Sequence, residues 1–402
     1  MRILIVSQYF WPEDFRINDL AISLKDRGHE VCVLTGKPNY PQGKIYEGYK
    51  AFGYAKEEYH GIEIIRVPLV PRRNGSGFNL AINYLSYVFG GCLYLLFHKR
   101  EFEVSLTYAI SPITQAFPAL LHKKIHHSKA CIWVQDLWPE SVTSAGKLKS
   151  SFVLDILGKM VRHIYKHSDK ILVQSEAFYE SVMNQQVEPE KIRYVPNWAE
   201  DFYINMDHVN RDKYKKLMPD GFIIMFAGNI GEAQDFNSLL KAAELTKSNK
   251  EIKWVLLGDG RKKVYVESEI KRLGLEETFI LLGRYPVQEM PSFFVHADMM
   301  LLSLKDEFVF SMTIPCKLQS YMAFGKPVLA MLNGIGATIV KNADCGYVSS
   351  AGDYKSLANN ALLSQSESKE NLLKKGQNGK SFYSMSFSKE KILDDLIDIF
   401  KE

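Results

Sequence analysis

The chain has 402 residues, 46% of them hydrophobic and 24% charged, with a formal net charge of +4. That length exceeds what one hydrophobic core usually serves, so two domains of similar size are expected. The composition excludes a disordered or fibrous chain, and so small a net charge supplies no global field for nucleic acid, which is not expected as a partner.

The opening "MRILIVSQYF" has an apolar run without a small-residue cleavage site, and reads as a first buried strand rather than a signal peptide. Further short apolar strands follow: "EVCVLTG", "IEIIRVPL", "EVSLTYA", "ACIWVQD", "KILVQS" and "IRYVPN". Helical patterns lie between them, among them "DLAISLKDRG", ended by Gly28, and "SFVLDILGKMVRHIYKHS", with apolar residues at three- and four-residue spacing. The polar stretch "NWAEDFYINMDHVNRDKYKKLMPDG" then breaks the alternation. A second series begins after it: "FIIMFAGNI", "KWVLLGDG", "TFILLGR", "DMMLLSL", "KPVLAML" and "GYVSS". Strands alternating with helices predict two tandem doubly wound, Rossmann-like α/β domains, over residues 1–204 and 205–386, with an amphipathic helix over 387–402. Such sheets bind ligands outside the carboxyl ends of their strands, in a cleft expected between the domains.

Two features qualify this plan. The five cysteines are scattered, odd in number and never in C-x-x-C, which fits reduced cytosolic thiols and gives no zinc motif. "FNLAINYLSYVFGGCLYLLF", residues 78–97, carries no charge and is long enough to span a bilayer. Its asparagines, tyrosines and the Gly90-Gly91 pair favour a buried or membrane-facing helix. Arg72-Arg73, "HKR" at 98–100 and "HKKIHHSK" at 122–129 flank it with cations, as in a protein that docks on anionic lipid.

The chemistry gathers at the turns that leave the second-half strands. "AGNIGEAQDF" supplies Gly228, Asn229 and Gly231, "LLGDGRKK" supplies Gly260 and Arg261, and "LLGRYP" supplies Arg284. Glycines admit a ligand close to the backbone, and cations beside them suit phosphates. "PCKLQSYMAFGKPVLA" then opens a helix with a proline and sets Lys317, Gln319 and Ser320 near its start. A helix N-terminus is an anion site, and a lysine there suggests a nucleotide diphosphate, the alternative being an ordinary cap before a buried strand. In the first half, Glu13, Arg16 and Asp136 stand in turns at strand ends. Asp136 reads either as an acceptor-orienting base or as a cap or loop ion pair.

"AGNIGEAQDF", "LLGDG", "LLGRYPVQEMPSFFVHADMMLLSLKDE" and "KLQSYMAFGKPVLA" together resemble the donor-binding domain of retaining, family-four glycosyltransferases of the two-domain GT-B type. "SQYFWPEDF", "RGHEVCVLTGKPNYPQG" and "WVQDLWPES" resemble their acceptor domain, with the bacterial surface-polysaccharide, N-acetyl-L-fucosamine transferase-like subfamily nearest. The resemblance implies transfer of a sugar from a UDP-sugar to a polyprenyl-diphosphate-linked saccharide of O-antigen or capsule. It implies metal-independent retention and no cofactor, at the inner face of the cytoplasmic membrane. It also implies that the C-terminal helix crosses back to the first domain.

On that resemblance, Asp136, Glu13 and Lys317 are the catalytic candidates. Glu13, Arg16 and Asp136 would touch the acceptor. Gly228, Asn229, Gly231, Gly260, Arg261, Arg284, Lys317, Gln319 and Ser320 would hold the donor. This sequence departs from the family where its paired glutamates fall on Met312 and Ser320, and its usual cations on Asn229 and Gln234. Lys317 with Gln319 and Ser320 is expected to rebuild the phosphate-and-ribose cradle. The alternatives are a nucleotide-sugar epimerase of the same architecture and a non-catalytic scaffold that binds nucleotide sugar.

Overall fold

A computed structural model describes residues 1–144 and 150–402. The chain divides into two units, one of residues 1–196 with 390–402, the other of 197–389. The first holds an eight-stranded sheet: β1 Arg2–Val6, β2 Glu30–Thr35, β3 Ala55–Tyr59, β4 Ile62–Arg66, β5 Val104–Ala109, β6 Lys129–Val134, β7 Lys170–Val173 and β8 Ile192–Tyr194. The strand order is β3-β4-β2-β1-β5-β6-β7-β8, parallel throughout except for the antiparallel pair β3–β4. β3, "AKEEY", is an edge strand that the sequence reading passed over, because an edge exposed on one face needs no apolar run.

The second unit holds β9 Phe222–Ala227, β10 Ile252–Leu257, β11 Phe279–Gly283, β12 Met299–Ser303, β13 Val328–Met331 and β14 Gly346–Ser349. They are parallel, in the order β11-β10-β9-β12-β13-β14. Successive strands run outward on one side of β9 and, from β12, on the other, so the order reverses between β9 and β12. That reversal opens a crevice at the carboxyl ends of the two strands. The sheet is buried on both faces, Met225 and Val255 turning to one apolar cluster and Phe226, Trp254 and Leu256 to the other. Continuous apolar strands are what double burial requires.

The division falls at residue 196 rather than 204, because the segment after Pro196 is tied to the second unit. The Ala199 N–H donates to the Tyr383 hydroxyl at 3.0 Å, and Lys389 pairs with Asp201 at 2.6 Å. The C-terminal helix Lys389–Lys401 belongs to the first unit from Glu390 onward. Its apolar side buries Ile392, Leu393, Leu396, Ile399 and Phe400, while Glu390 and Asp394 meet Arg27 and Glu402 meets Lys170 and Arg193.

The uncharged segment forms the helix Gly77–Phe97, fixed along one side to the first unit's sheet. Gly90 and Gly91 permit the close approach: a side chain at Gly91 would meet Pro118 Cγ at 2.9 Å, and one at Gly90 the Pro68 carbonyl at 3.2 Å. The Tyr87 hydroxyl donates to the Leu34 carbonyl at 3.0 Å, and Asn83 Nδ2 to the Val70 carbonyl at 2.6 Å. Phe78, Leu85, Phe89 and Leu96 repeat on the opposite side and are exposed. The helix is long and apolar enough to cross a membrane, yet half of it is bonded into a folded sheet.

Leu396 is fully buried, so Leu396→Ala should lower stability by about 2–5 kcal/mol in chemical denaturation. A surface position would change by less than about 0.5 kcal/mol.

Candidate active site

In the second unit the site is built on the turn after β9. The Gly228 N–H donates to the Leu257 carbonyl at 2.8 Å, and the Gly258 N–H to the Gly283 carbonyl at 2.8 Å, so the turns after β9, β10 and β11 are laced together. They are also packed backbone on backbone. A side chain on Gly258, at φ +149°, would lie 1.8 Å from the Gly228 carbonyl oxygen, and one on Gly260 would lie 2.3 Å from that of Ile230. Asn229 bridges the turns, its Oδ1 2.6 Å from where a Gly260 Cβ would sit and its Nδ2 2.5 Å from that of Gly231. Only glycine permits this stacking.

The space above Gly228 is filled by Lys317. A Cβ on Gly228, at φ +141°, would stand 2.4 Å from Lys317 Cε and 2.6 Å from Nζ. The ammonium lies 3.8 Å from the centroid of the Phe226 ring. The helix that carries it, Cys316–Phe324, begins at Pro315 without a side-chain cap and ends at Gly325 in the left-handed region. Tyr321, one turn on and on the same side, anchors that helix to β9: its hydroxyl accepts from the Ala227 N–H at 3.3 Å.

Among the described residues no carboxylate pairs with Lys317. The residue as a whole is half-buried, but its ammonium is enclosed, and loss of hydration pushes its pKa down to about 7. The ammonium thus lies over an aromatic face, beside a glycine turn and an uncapped helix start, the kind of setting that favours an anion.

The other expected donor residues separate into two groups. Gly228, Asn229, Gly231 and Gly260 come together with Lys317, and Arg261 and Arg284 lie exposed on the adjoining turns. Gln319 points elsewhere: it is fully buried, its amide donates to the Asn197 carbonyl, and two positions from Lys317 it is turned about 200° around the helix. Ser320, three positions on, lies on the side of Lys317, but its hydroxyl bonds back to the Cys316 carbonyl at 3.2 Å. Lys262 and Lys305 are both paired with Glu232, at 2.7 and 3.2 Å. Phe226 and Tyr321 are the contributors the sequence reading missed, while Gly258 belongs to the "LLGDGRKK" turn that it singled out. The four-residue step from Lys317 was the available signal for Tyr321.

In the first unit, Asp136 follows β6 and accepts from the Ser111 N–H and hydroxyl, both at 3.0 Å. Trp138 Nε1 donates to the same hydroxyl at 3.1 Å, so this tryptophan packs and orients. Burial raises the Asp136 pKa against those bonds, leaving a carboxylate that gains by taking a proton. Glu13 has a different task from the catalytic one expected. It is 2% exposed, and its Oε1 accepts from the N–H groups of Asn39 at 2.8 Å and Tyr40 at 2.7 Å. Burial lifts its pKa to about 7 against these bonds. It holds the loop after β2 rather than facing a substrate. Arg16 is half-buried at the head of the helix Ile17–Asp26.

Residues 15–198 match the "Glycosyl transferase 4-like domain" family, and residues 210–380 match "Glycosyl transferases group 1". The chain belongs to the group 1 glycosyltransferases. This transferase is 25% identical over 340 residues to the putative colanic acid biosynthesis glycosyl transferase WcaI of Escherichia coli, covering 81% of this chain and 82% of the other. It is 29% identical over 227 residues, 54% of each chain, to the probable glycosyltransferase WbjE of Pseudomonas aeruginosa. Its GT-B fold matches Anabaena Alr3699/HepE, solved in complex with UDP, with a TM-score of 0.71 at 14% identity over the full length of both chains.

The Lys317 environment fixes the sign of a pH effect. Below about pH 7 the ammonium is protonated in the free site and anion affinity should be level. Above it, the free site loses its charge, and UDP affinity should fall by about tenfold per pH unit until the bound-state pKa is reached. Calorimetry at pH 8 in buffers of different ionisation enthalpy should show proton uptake on binding, absent in Lys317→Ala.

Proposed function

We propose that this glycosyltransferase takes a sugar from a UDP-sugar and transfers it, with retention and without a metal, to a polyprenyl-diphosphate-linked saccharide at the inner face of the cytoplasmic membrane. The donor sugar we favour is N-acetyl-L-fucosamine, and the product an O-antigen or capsule precursor. The observation that carries the donor half of this reading is the Lys317 ammonium, buried over Gly228 without a carboxylate partner. A leaving diphosphate gains negative charge as the glycosidic bond breaks, and a preset cation in a desolvated site stabilises that gain without reorganising. A protein cation in that place also supplies what a divalent metal would otherwise give, and among the described residues no three His, Cys, Asp or Glu side chains group as a metal site. HepE, of the same fold, was crystallised with UDP. The Escherichia coli relative is named for colanic acid biosynthesis, which supports an exopolysaccharide setting.

UDP binding by calorimetry, with a chelator present, tests the donor half. Lys317→Ala should weaken it by about 1.5–3 kcal/mol, the cost of one charge-assisted hydrogen bond. Chelator-sensitive binding, or none at all, would remove this reading.

The membrane half is supported by the exposed apolar side of Gly77–Phe97, with Arg73 and Lys99 exposed at its two ends. An amphipathic surface with cations at its rim is drawn to anionic lipid. Wild type should sediment with vesicles of phosphatidylglycerol and phosphatidylethanolamine, and Phe89→Glu, at a residue 69% exposed, should lose most of that association without a change in melting temperature.

A further inference from the structure

The first unit carries a guanidinium that its own carboxylates leave alone. Arg27, Arg66, Arg100 and Arg193 are each paired with an Asp or Glu. Arg72 is half-buried and, among the described residues, forms no ion pair. Its guanidinium carbon lies 5.0 Å from the Tyr40 ring centroid and 5.7 Å from that of Tyr9. Nη1 donates to the Tyr9 hydroxyl at 3.3 Å, and the Arg72 backbone N–H donates to Asn39 Oδ1 at 3.2 Å. Phe15 completes the aromatic floor, 5.3 Å from Tyr9 and 5.2 Å from Tyr40 between ring centroids.

This platform is built into the fold. Tyr9 follows β1 and Tyr40 follows β2, at the carboxyl ends where a parallel sheet binds ligands. Glu13 holds the Tyr40 loop by two backbone bonds, so the task that removes it from catalysis fixes one wall of the platform. Two aromatic faces and one phenol leave most of the guanidinium fork without an acceptor. A fork held in plane before binding matches a phosphate bidentately and loses little freedom in doing so. The helix Gly77–Phe97 begins just after Arg72, and its outward side, from Phe78 to Leu96, is apolar. Such a side is one that takes hydrocarbon.

We propose that Arg72, on its Tyr9–Tyr40 platform, binds the diphosphate of a lipid-linked acceptor. This rests on the acceptor half of the function proposed above, and assigns it a residue that no family motif in the sequence pointed to.

The full-length protein should bind farnesyl diphosphate, the probe, more tightly than inorganic pyrophosphate. Arg72→Ala should weaken farnesyl diphosphate at least about tenfold, as for a lost charge-assisted pair. Arg72→Lys, which keeps the charge and loses the fork, should weaken it at least about threefold. Both should leave UDP affinity unchanged, whereas Lys317→Ala should weaken UDP and leave farnesyl diphosphate unchanged. If Arg72→Ala melts early, Arg72→Lys decides. Wild-type binding of farnesyl diphosphate that neither variant weakens overturns the Arg72 assignment alone. Pyrophosphate binding as tight as farnesyl diphosphate also overturns it, and marks a free-phosphate site. No farnesyl diphosphate binding in wild type removes the acceptor reading itself, with UDP binding intact as the sign that the donor reading stands.

Discussion

A buried ammonium without a carboxylate is the constraint around which the second unit is arranged. Enclosing a lysine costs hydration free energy that neither a ring face nor a helix dipole fully restores. The three glycine turns, the Phe226 ring and the Tyr321 anchor are therefore best understood together, as the means of holding Lys317 in an unfavourable place. Had Gly228 carried a side chain, the ammonium would have been pushed out towards water. Had Gly258 carried one, the turn after β9 could not have closed on that after β10.

The same reasoning bears on positions 312 and 320, where the resemblance to the family implies glutamates. A carboxylate at position 320 would lie on the helix that carries Lys317, where it could lower the attraction for phosphate by pairing with the ammonium. Ser320 instead turns its hydroxyl back to the Cys316 carbonyl, and Met312 places no charge nearby. Beside Gly228 stands Asn229, whose side-chain amide lies against both Gly231 and Gly260.

In the first unit, one helix has two unlike sides. Its inner side is polar where it meets strand ends, through Asn83 and Tyr87, and glycine where it crosses the sheet. Its outer side is a stripe of phenylalanine and leucine. Hydropathy alone averages the two sides into a membrane span. The buried hydrogen bonds show that the helix cannot leave the sheet without stranding polar groups, so its outer side is part of the surface of a folded domain.

The sequence by itself determined the architecture. Apolar runs of strand length, alternating with helical periods and punctuated by glycine, leave little choice but two doubly wound sheets, and a ligand crevice follows from that topology. It also singled out Lys317 and the glycines, which the structure brings together at the strand-to-helix turns of the second unit. Tertiary structure decided which neighbours lie with them. Gln319 is two positions from Lys317 in the chain yet faces the interior, whereas Phe226 is remote from it in the chain and its ring lies against the ammonium. Glu13 and Arg72 show the same exchange: the carboxylate that looked catalytic is spent on two backbone N–H groups, and the arginine read as a lipid-facing flank rests on a platform of two tyrosines. The physical reason is common to all of them. Strand and helix periods are properties of local backbone, but the direction of a side chain and the identity of its hydrogen-bond partner depend on segments that only folding brings together.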